Sequence, residues 1–367
     1  MSAGTHATQP YAFLLNGELR AGAGSREIRS PYSGALIGRA ALAAQADMTA
    51  AIDAAVAAAP IAAALPSHAR AAVLDRIRSG VTERKEELAR LLAAEAGKPL
   101  GLARSEIDRA VFVFQQGAEE AKRIGGEVIP MDLTAQGDQR WGLTRRFPLS
   151  PISAIIPFNF PFLLAAHKLA PAMACGATMV LKPPPQDPLA TLLLAEIVQA
   201  SGYPAGAISI LLCTNEDAAP LIEDPRVRMI TFTGSARVGW MIRARAPMKR
   251  VTLELGGNAA VLVEPDADLD TAVQRCVVGG YLYAGQSCIS TQRILVHGDV
   301  YERFVKKFVA AVRALRTGDP MADTTDVGPM IDQANAERAE GWISEAAAAT
   351  ARCSSPRCCS TRPAICG

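Results

Sequence analysis

Three side chains of this sequence combine reactive chemistry with an unusual setting. Cys288 follows the polar loop Gly285-Gln286-Ser287, and a cysteine in a loop beside a helix terminus can be both ionised and reachable. Glu254 interrupts the apolar segment 251–255, where a carboxylate is costly unless it has partners or a function. Asn159 lies between two prolines. Because a thiolate can add to a carbonyl carbon, the cysteine points to nucleophilic chemistry.

Each of these residues also has an ordinary structural interpretation. Most free cysteines lie buried in a core, and we predict this for three other cysteines of the chain: Cys175, Cys213 and Cys276. Glu254 could instead cap a backbone loop, and Asn159 could be a turn residue. The setting of Cys288 favours a reactive role over a structural one.

The cysteine and histidine pattern gives no sign of a metal site. The chain has eight cysteines and four histidines, and no two cysteines have the C-x-x-C spacing. Neither a zinc site nor a thioredoxin-type redox motif is therefore indicated. A reduced, cytoplasmic setting fits this usage, and we predict no bound metal.

Composition bounds the class of protein. The 367 residues suffice for about two domains of ~150 residues, and half are hydrophobic while a fifth are charged. A net charge of +2 gives no reason to expect nucleic acid or an anionic membrane as partner. The first ten residues lack the pattern of a signal peptide. The most apolar stretch, 161–181, contains His167 and Lys168, which argues against a membrane span.

The elements that must position the reactive residues alternate between strands and helices. We predict strands at 152–156, 178–181, 207–212 and 229–232, with helices at 161–174 and 188–201. This alternation predicts an α/β fold with a parallel sheet covered on both faces. Ligands of such sheets bind at the carboxyl ends of the strands, which places 157–159, 182–186 and 233–239 on one rim.

The flanking segments complete the expected secondary structure. Before the alternating region, we predict short strands and turns over 16–38, helices over 47–64, 67–96 and 100–124, and a β-hairpin over 126–149. Asp47 is the expected N-cap of the first helix. After it, apolar segments at 251–255 and 259–263 precede a helix over 269–284, a strand over 292–296 and a helix over 300–315.

Four short motifs, taken in order, are more specific than any one of them. They are Pro157-Phe158-Asn159-Phe160-Pro161; Lys182-Pro183 with Phe232-Thr233-Gly234-Ser235 and Val238-Gly239; Glu254-Leu255-Gly256-Gly257-Asn258; and Gly285-Gln286-Ser287-Cys288. Their order, and the 34 residues from Glu254 to Cys288, resemble the aldehyde dehydrogenase superfamily over residues 12–346. The resemblance implies a Rossmann-like cofactor domain (1–125 and 149–255), a β-hairpin oligomerisation arm (126–148) and an incomplete α/β catalytic domain (256–345).

The resemblance also implies a role for each reactive residue. Cys288 would add to an aldehyde to give a hemithioacetal, which loses hydride and becomes a thioester. Asn159 and the backbone N–H of Cys288 would hold the negative oxygen. Glu254, as a desolvated carboxylate, would be the general base that activates water to hydrolyse the thioester.

The expected cofactor is NAD or NADP. Gly234 and Ser235 follow a predicted strand and are predicted to begin a helix, whose N-terminal N–H groups can hold a pyrophosphate. The G-x-G-x-x-G fingerprint is absent, so the resemblance implies the family's own variant of the site. The other expected cofactor residues are Ile156, Pro157 and Phe158 on the nicotinamide side, Lys182 on the adenosine ribose, and Pro185, Val238, Leu255 and Gly256. Because Pro185 stands where many NAD-preferring relatives carry a glutamate, we expect NADP to be accepted.

The substrate class follows from a branch of the family. Segments 142–148, 165–171 and 283–290 resemble lactaldehyde, glycolaldehyde and phosphonoacetaldehyde dehydrogenases, which implies a small polar or acidic aldehyde. The alternative interpretation is that they are packing and arm residues that say nothing about substrate. We interpret His167 as a helix histidine and not as a catalyst. Two other functions stay open: a CoA-acylating dehydrogenase, which Glu254 argues against, and a non-enzymatic dinucleotide-binding remnant.

The C-terminal segment departs from the family. Members carry a later Glu-Glu-x-Phe-Gly-Pro segment and a strand that pairs with the arm of another subunit in a homo-oligomer. Residues 346–367 instead hold four cysteines and no acidic residue, which resembles a coding sequence read in a shifted frame. We therefore expect a truncated chain, with apolar faces left exposed and a doubtful oligomeric state. A metal site formed by the clustered cysteines is the weaker alternative.

Overall fold

The computed structural model describes residues 9–351, which form the following elements. The strands are β1 (Phe13–Leu15), β2 (Glu18–Arg20), β3 (Gly24–Arg29), β4 (Leu36–Leu42), β5 (Val128–Pro130), β6 (Trp141–Leu143), β7 (Ile152–Ile155), β8 (Met179–Lys182), β9 (Ile208–Ile210), β10 (Met229–Thr233), β11 (Arg250–Glu254), β12 (Ala259–Val263) and β13 (Thr291–Val296). The helices are α1 (Gln45–Ala64), α2 (Ser67–Glu83), α3 (Lys85–Ala96), α4 (Leu100–Ala121), α5 (Pro161–Cys175), α6 (Leu189–Ala200), α7 (Ala219–Glu223), α8 (Ala236–Arg245), α9 (Leu269–Tyr281), α10 (Gly298–Arg313) and α11 (Gln333–Ala351).

A seven-stranded sheet forms the centre of the protein. Its order is β11-β10-β7-β8-β9-β1-β2. The five strands from β11 to β9 are parallel, whereas β1 pairs antiparallel with β9 and with β2. Strands β7, β8 and β9 are almost wholly buried, as apolar runs in a parallel sheet should be. The predicted α/β fold with a Rossmann-like parallel sheet is therefore confirmed.

Helix α1 is long and apolar enough to cross a membrane by length and composition alone. Its buried residues recur at the spacing of one helix face: Met48, Ala51, Ile52, Ala55, Ala58 and Ala62. They belong to the main hydrophobic core. A core helix passes the same length test as a membrane span, and the burial of this face fits a core helix.

The prediction that Asp47 is the N-cap of α1 is wrong. The N-cap is Ala44, and Asp47 is the third residue of the helix, where its Oδ2 accepts a hydrogen bond of 2.9 Å from the Ala44 N–H. The carboxylate still satisfies an N-terminal donor and complements the helix dipole. The helix begins earlier than predicted because alanine, with no capping side chain, gives no boundary signal in the sequence.

Two carboxyl groups lie fully buried where α3 meets the start of α6. Glu95 accepts hydrogen bonds from the N–H groups of Leu189 and Ala190 at 2.7 and 2.8 Å, so it caps α6 from a distant part of the chain. Asp187 is buried, and neither of its carboxyl oxygens has a hydrogen-bond partner among the described residues. Burial raises the pKa of Glu95 to about 8 and raises that of Asp187 well above its ordinary value.

These raised pKa values predict a pH-dependent stability. A carboxyl group with a higher pKa in the folded state binds more protons there, so its contribution to stability is lost as pH rises towards the folded pKa. Between the ordinary glutamate pKa of 4.5 and the folded value of about 8, we expect the free energy of unfolding to fall by on the order of 1 kcal/mol per pH unit because of Glu95. Urea unfolding at several pH values should show a flatter slope for Glu95→Gln than for the wild type. The exposed Glu119→Gln should keep the wild-type slope, and an unchanged slope in Glu95→Gln would contradict the assignment.

A smaller unit follows the main sheet. Strands β12 and β13 pair in parallel, and α9 and α10 pack on them around a separate core that includes Val263, Val273, Val277 and Phe304. Several apolar side chains on this unit are exposed, among them Leu262 and Leu295. The expectation that a truncated chain leaves apolar faces exposed stays a prediction.

The predicted β-hairpin is present. Strands β5 and β6 pair antiparallel, with Ile129 opposite Gly142, around a turn that includes residues 135–137. Leu133, Trp141 and Leu143 on this hairpin are each at least 75 % exposed. Its function as an oligomerisation arm, and the domain boundaries given above, stay predictions.

Candidate active site

One cavity of about 370 Å³ collects the residues singled out by their chemistry. Cys288, Glu254 and Asn159 all line it, although they come from three separate segments of the chain. Six of the ten expected cofactor residues line it as well: Pro157, Phe158, Gly234, Ser235, Leu255 and Gly256. The cavity lies at the carboxyl ends of β7, β10 and β11, the rim predicted from the alternating pattern.

Cys288 stands on a strained loop that follows α9. The chain makes a short 3-10 turn at Leu282–Gly285, in which Tyr283 and Ala284 both have positive φ values, 50° and 53°. Such values are uncommon for residues other than glycine and persist where the surroundings fix them. The Tyr283 hydroxyl, which is buried, donates a 2.6 Å hydrogen bond to the Ala96 carbonyl and so ties the loop to the end of α3.

The other described cysteines differ from Cys288 in exposure. Cys288 is exposed, whereas Cys213 and Cys276 are buried and Cys175 is half-buried. Burial raises the pKa of all three of these thiols, that of Cys213 to about 11. The prediction that these three are structural cysteines therefore fits their surroundings.

Glu254 is the last residue of β11, and its position corrects one expectation. The side chain is exposed, so the carboxylate is not desolvated as the sequence suggested. The physical reason is that β11 is the edge strand of the sheet and alternates between half-buried and exposed residues. Its backbone is fixed, because the Gly234 N–H donates to the Glu254 carbonyl at 3.0 Å.

Lys168 on α5 is a neighbouring charge that sequence reasoning missed. The side chain is buried and donates a 2.9 Å hydrogen bond to the Thr231 hydroxyl on β10. Burial lowers the pKa of Lys168 to about 8, while the nearby negative charge of Glu254 acts in the opposite direction. A lysine with this pKa can exchange protons near neutral pH. An ordinary amphipathic pattern would have placed it on the solvent side of the helix.

Asn159 lies in the short loop between β7 and α5. Its side-chain oxygen is buried and has no hydrogen-bond partner among the described residues. Its backbone carbonyl accepts a 2.7 Å hydrogen bond from the Lys98 ammonium. The residue is therefore anchored through its backbone, and the amide group remains available to a ligand in the cavity.

The start of α8 provides a site for a negatively charged group. Ser235 is the N-cap, and its hydroxyl accepts a hydrogen bond from the Val238 N–H. A Cβ at Gly239 would lie 2.6 Å from the end of the Leu255 side chain, which shows how closely α8 packs there. The close packing of α8 on β11 brings the helix N-terminus, with its free N–H groups, to the wall of the cavity.

Four expected cofactor residues do not line this cavity. Ile156 is buried in the core, Lys182 is buried at the end of β8, Val238 packs against the core from α8, and Pro185 is half-buried after β8. Burial lowers the pKa of Lys182. All four lie at or beyond the carboxyl ends of the parallel strands. Lys182 is the last residue of β8 and Pro185 follows it, and β8 lies on the far side of β7 from β10 and β11.

Helix α11 closes one side of the cavity, which the sequence did not indicate. Asn335, Arg338 and Trp342 line it, and the Arg338 guanidinium lies 5.1 Å from the centre of the Trp342 ring. Before the helix, the Ile331 N–H donates to the Gln286 side chain at 3.0 Å, which connects this segment to the cysteine loop. The helix continues to Ala351, through the first residues of the segment 346–367. Residues 352–367, with the clustered cysteines, lie outside the described residues.

A second groove runs between α4 and α5. It has a volume of about 490 Å³, and its polar lining consists of Arg109, Gln116, Glu120 and His167, of which Glu120 pairs with Arg123. No hydrogen bond or ion pair joins the exposed Arg109 guanidinium to another residue of the described range 9–351. Partial burial and the positive charges of Arg109 and Lys168 lower the pKa of His167. Leu163, near the start of α5, belongs to the same groove, so it runs towards the Asn159 loop.

Within the described range 9–351, no three His, Cys, Asp or Glu side chains are grouped so that they could hold a metal ion. The expectation of no bound metal remains a prediction.

Comparison with known proteins identifies the family. The Aldehyde dehydrogenase family matches residues 20–359. An aldehyde-dehydrogenase-like protein of Sinorhizobium fredii is 41 % identical over 90 % of this chain, and the match spans 65 % of that relative. Aldehyde dehydrogenase 21 of Physcomitrella patens, solved with the reaction product succinate, superimposes with a TM-score of 0.90 at 41 % identity over 93 % of this chain and 71 % of its own. Glyceraldehyde-3-phosphate dehydrogenase of Methanocaldococcus jannaschii, solved with NADP, gives a TM-score of 0.84 at 36 % identity over 88 % and 71 %.

The chain thus spans about two thirds of the length of that curated relative. The match of the family over most of the chain agrees with the four motifs and with the sheet on which they lie. The chain belongs to the aldehyde dehydrogenase family.

Proposed function

We propose that this protein oxidises a small, negatively charged aldehyde to its carboxylic acid through a covalent thioester on Cys288. The observation that carries the proposal is the single cavity lined by an exposed cysteine, a carboxylate and an amide. The Cys288 thiolate adds to the aldehyde carbon, and the Asn159 amide donates a hydrogen bond to the oxygen that becomes negative. Loss of hydride from that carbon leaves a thioester. Glu254 then takes a proton from water, which attacks the thioester and releases the acid and the thiolate.

The hydride requires an acceptor, and we propose NADP or NAD. When bound, a nicotinamide supplies a carbon that accepts hydride. The residues present fit such a group: Ser235 opens α8 at the cavity wall, and a Cβ at Gly256 would meet no atom within 4 Å, which leaves room for a ligand. Arg338 adds a positive charge to the same cavity. Pro185 adds no negative charge after β8, which supports acceptance of the 2′-phosphate of NADP.

The negative charge of the substrate is proposed from the groove between α4 and α5. Arg109 is a guanidinium without a hydrogen-bond or ion-pair partner among residues 9–351, and His167 in the same groove can add a hydrogen-bond donor. Two structural neighbours support this class, since one was solved with succinate and the other is named for a phosphorylated aldehyde. We propose that Arg109 binds the substrate anion while the aldehyde group reaches Cys288.

The test compares two aldehydes of the same length, succinate semialdehyde and butanal, by the appearance of reduced nicotinamide. Because a hydrogen bond to a charged group contributes about 1.5–3 kcal/mol, Arg109→Met should lower kcat/KM for the anionic aldehyde by about 10- to 100-fold. The value for butanal should stay within about threefold. Arg104→Met on the same helix, whose guanidinium pairs with Glu86 and Asp323, should change neither value.

Equal loss with both aldehydes in Arg109→Met would contradict the anion site while leaving aldehyde oxidation intact. If folded wild-type protein formed no reduced nicotinamide with both aldehydes, the proposed function itself would be contradicted.

A further inference from the structure

A buried ammonium group lies between the two loops that carry Asn159 and Cys288. The Lys98 side chain is fully buried directly after α3. Its Nζ donates to the Asn159 carbonyl at 2.7 Å and lies over two aromatic rings, 4.3 Å from the centre of Phe160 and 4.7 Å from that of Tyr283. One cation therefore contacts the loop before α5 and the loop before Cys288.

The partner of Lys98 fixes the helix that follows Asn159. Glu106 on α4 is fully buried and forms an ion pair with Lys98 through one carboxylate oxygen. Its other oxygen accepts hydrogen bonds from the N–H groups of Phe162 and Leu163 at 3.0 and 3.1 Å. The helix has no capping side chain of its own, because its N-cap is Phe160. A distant glutamate thus provides the cap of α5.

The other side of the contact holds the cysteine loop. Phe160 and Tyr283 meet edge to face, with ring centres 6.3 Å apart. The Tyr283 hydroxyl also donates a hydrogen bond to the carbonyl of Ala96, two residues before Lys98. The positive φ of Tyr283 is therefore maintained by contacts with the same short segment that carries the lysine.

A contribution to stability alone does not account for this ion pair. Removing two charges from water costs several kcal/mol per ion, and apolar replacements of a buried pair are often neutral or stabilising. The rings of Phe160 and Tyr283 already face the Lys98 ammonium, and an apolar side chain could pack against them instead. The charges instead fix the backbone around Asn159: Lys98 donates to the Asn159 carbonyl, and Glu106 accepts from N–H groups at the start of α5.

We propose that Lys98 is a positioning residue that sets the relative placement of Asn159 and Cys288. The proposal rests on the proposed function, in which these two residues act on the same carbonyl oxygen and carbon. Lys98 touches neither substrate nor cofactor: it acts through the Asn159 backbone on one side and through the Tyr283 ring on the other. A displacement of about 1 Å in such a pair can lower a rate by about 10²-fold.

The test uses the double variant Lys98→Met/Glu106→Gln, which removes both charges together and leaves no unpaired ion. Met keeps the length of the lysine side chain, and the Gln oxygen can still accept from the N–H groups at the start of α5. We expect the thermal midpoint of unfolding to stay near that of the wild type. We expect kcat for aldehyde oxidation to fall by about 10²-fold, with KM for the nicotinamide cofactor unchanged.

A double-mutant cycle separates positioning from a general structural effect. Asn159→Ala should cost about 10²- to 10³-fold in the wild type. It should cost less than about tenfold in the Lys98→Met/Glu106→Gln background, because the amide is already misplaced there. The matched control is Lys85→Met/Asp108→Asn, which removes an exposed ion pair between α3 and α4. It should retain the wild-type kcat and the full effect of Asn159→Ala.

Hydrogen exchange provides a readout that does not depend on turnover. Peptides covering 157–163 and 281–290 should exchange about tenfold faster in Lys98→Met/Glu106→Gln than in the wild type or the control. Unchanged exchange in both peptides, a wild-type kcat, or fully additive effects in the cycle would each overturn the proposal. If the wild type oxidises no aldehyde, the proposed function fails, and the exchange rates alone still decide whether Lys98 holds the two loops.

Discussion

Replacing Cys288 by alanine is expected to abolish aldehyde oxidation. The thioester cannot form without the thiolate, and loss of a covalent nucleophile lowers turnover by roughly 10⁴-fold or more. The fold should be unaffected, because the side chain is exposed and makes no hydrogen bond to another residue of the described range. The measurement is the initial rate of reduced nicotinamide formation with succinate semialdehyde, beside circular dichroism of the folded protein.

The matched control for that experiment is Cys276→Ala. This thiol is buried in the smaller core, so its loss should lower stability by about 1 kcal/mol and leave the rate near that of the wild type. Turnover that survives in Cys288→Ala and disappears in Cys276→Ala would contradict the assignment of Cys288 as the nucleophile.

Replacing Glu254 by glutamine is expected to separate the two halves of the reaction. Hydride loss from the hemithioacetal does not need the base that activates water, so the first turnover should proceed. Thioester hydrolysis should then slow by about 10²- to 10⁴-fold, the usual contribution of a general base. Rapid mixing should therefore show a burst of about one equivalent of reduced nicotinamide per Cys288, followed by a slow steady rate.

The control for this variant is Glu264→Gln, a carboxylate on the chain segment after β12 that does not line the cavity. It should show no burst and an unchanged steady rate. If Glu254→Gln lowered the burst and the steady rate equally, Glu254 would act before the thioester and not in its hydrolysis. Rescue of its steady rate by free CoA would instead favour acyl transfer to CoA.

The architecture could be predicted because it depends on local patterns. Apolar runs such as Ile152–Ile155 alternate with helical segments, and the parallel sheet follows from that alternation. The three reactive residues could be found because each interrupts its pattern: a carboxylate ends an apolar strand, and a cysteine follows a polar loop. The predicted rim of the sheet included Asn159, whereas Glu254 and Cys288 were assigned to the site by the motifs that resemble the family.

What the sequence could not indicate are contacts between distant segments. Lys98 reaches the carbonyl of Asn159, 61 residues farther along the chain, and Tyr283 reaches Ala96 across 187 residues. Neither contact leaves a local pattern. The exposure of Glu254 was missed for a similar reason, because only the strand order shows that β11 is at the edge.

The central claim is that the acyl group is held on Cys288, and intact-protein mass spectrometry tests it most directly. Glu254→Gln is mixed with succinate semialdehyde and NADP, quenched in acid, and mapped by proteolysis. The account predicts one added succinyl group, located on the peptide that contains Cys288 and absent from Glu254→Gln/Cys288→Ala. Formation of reduced nicotinamide without any acyl group on Cys288 would contradict it.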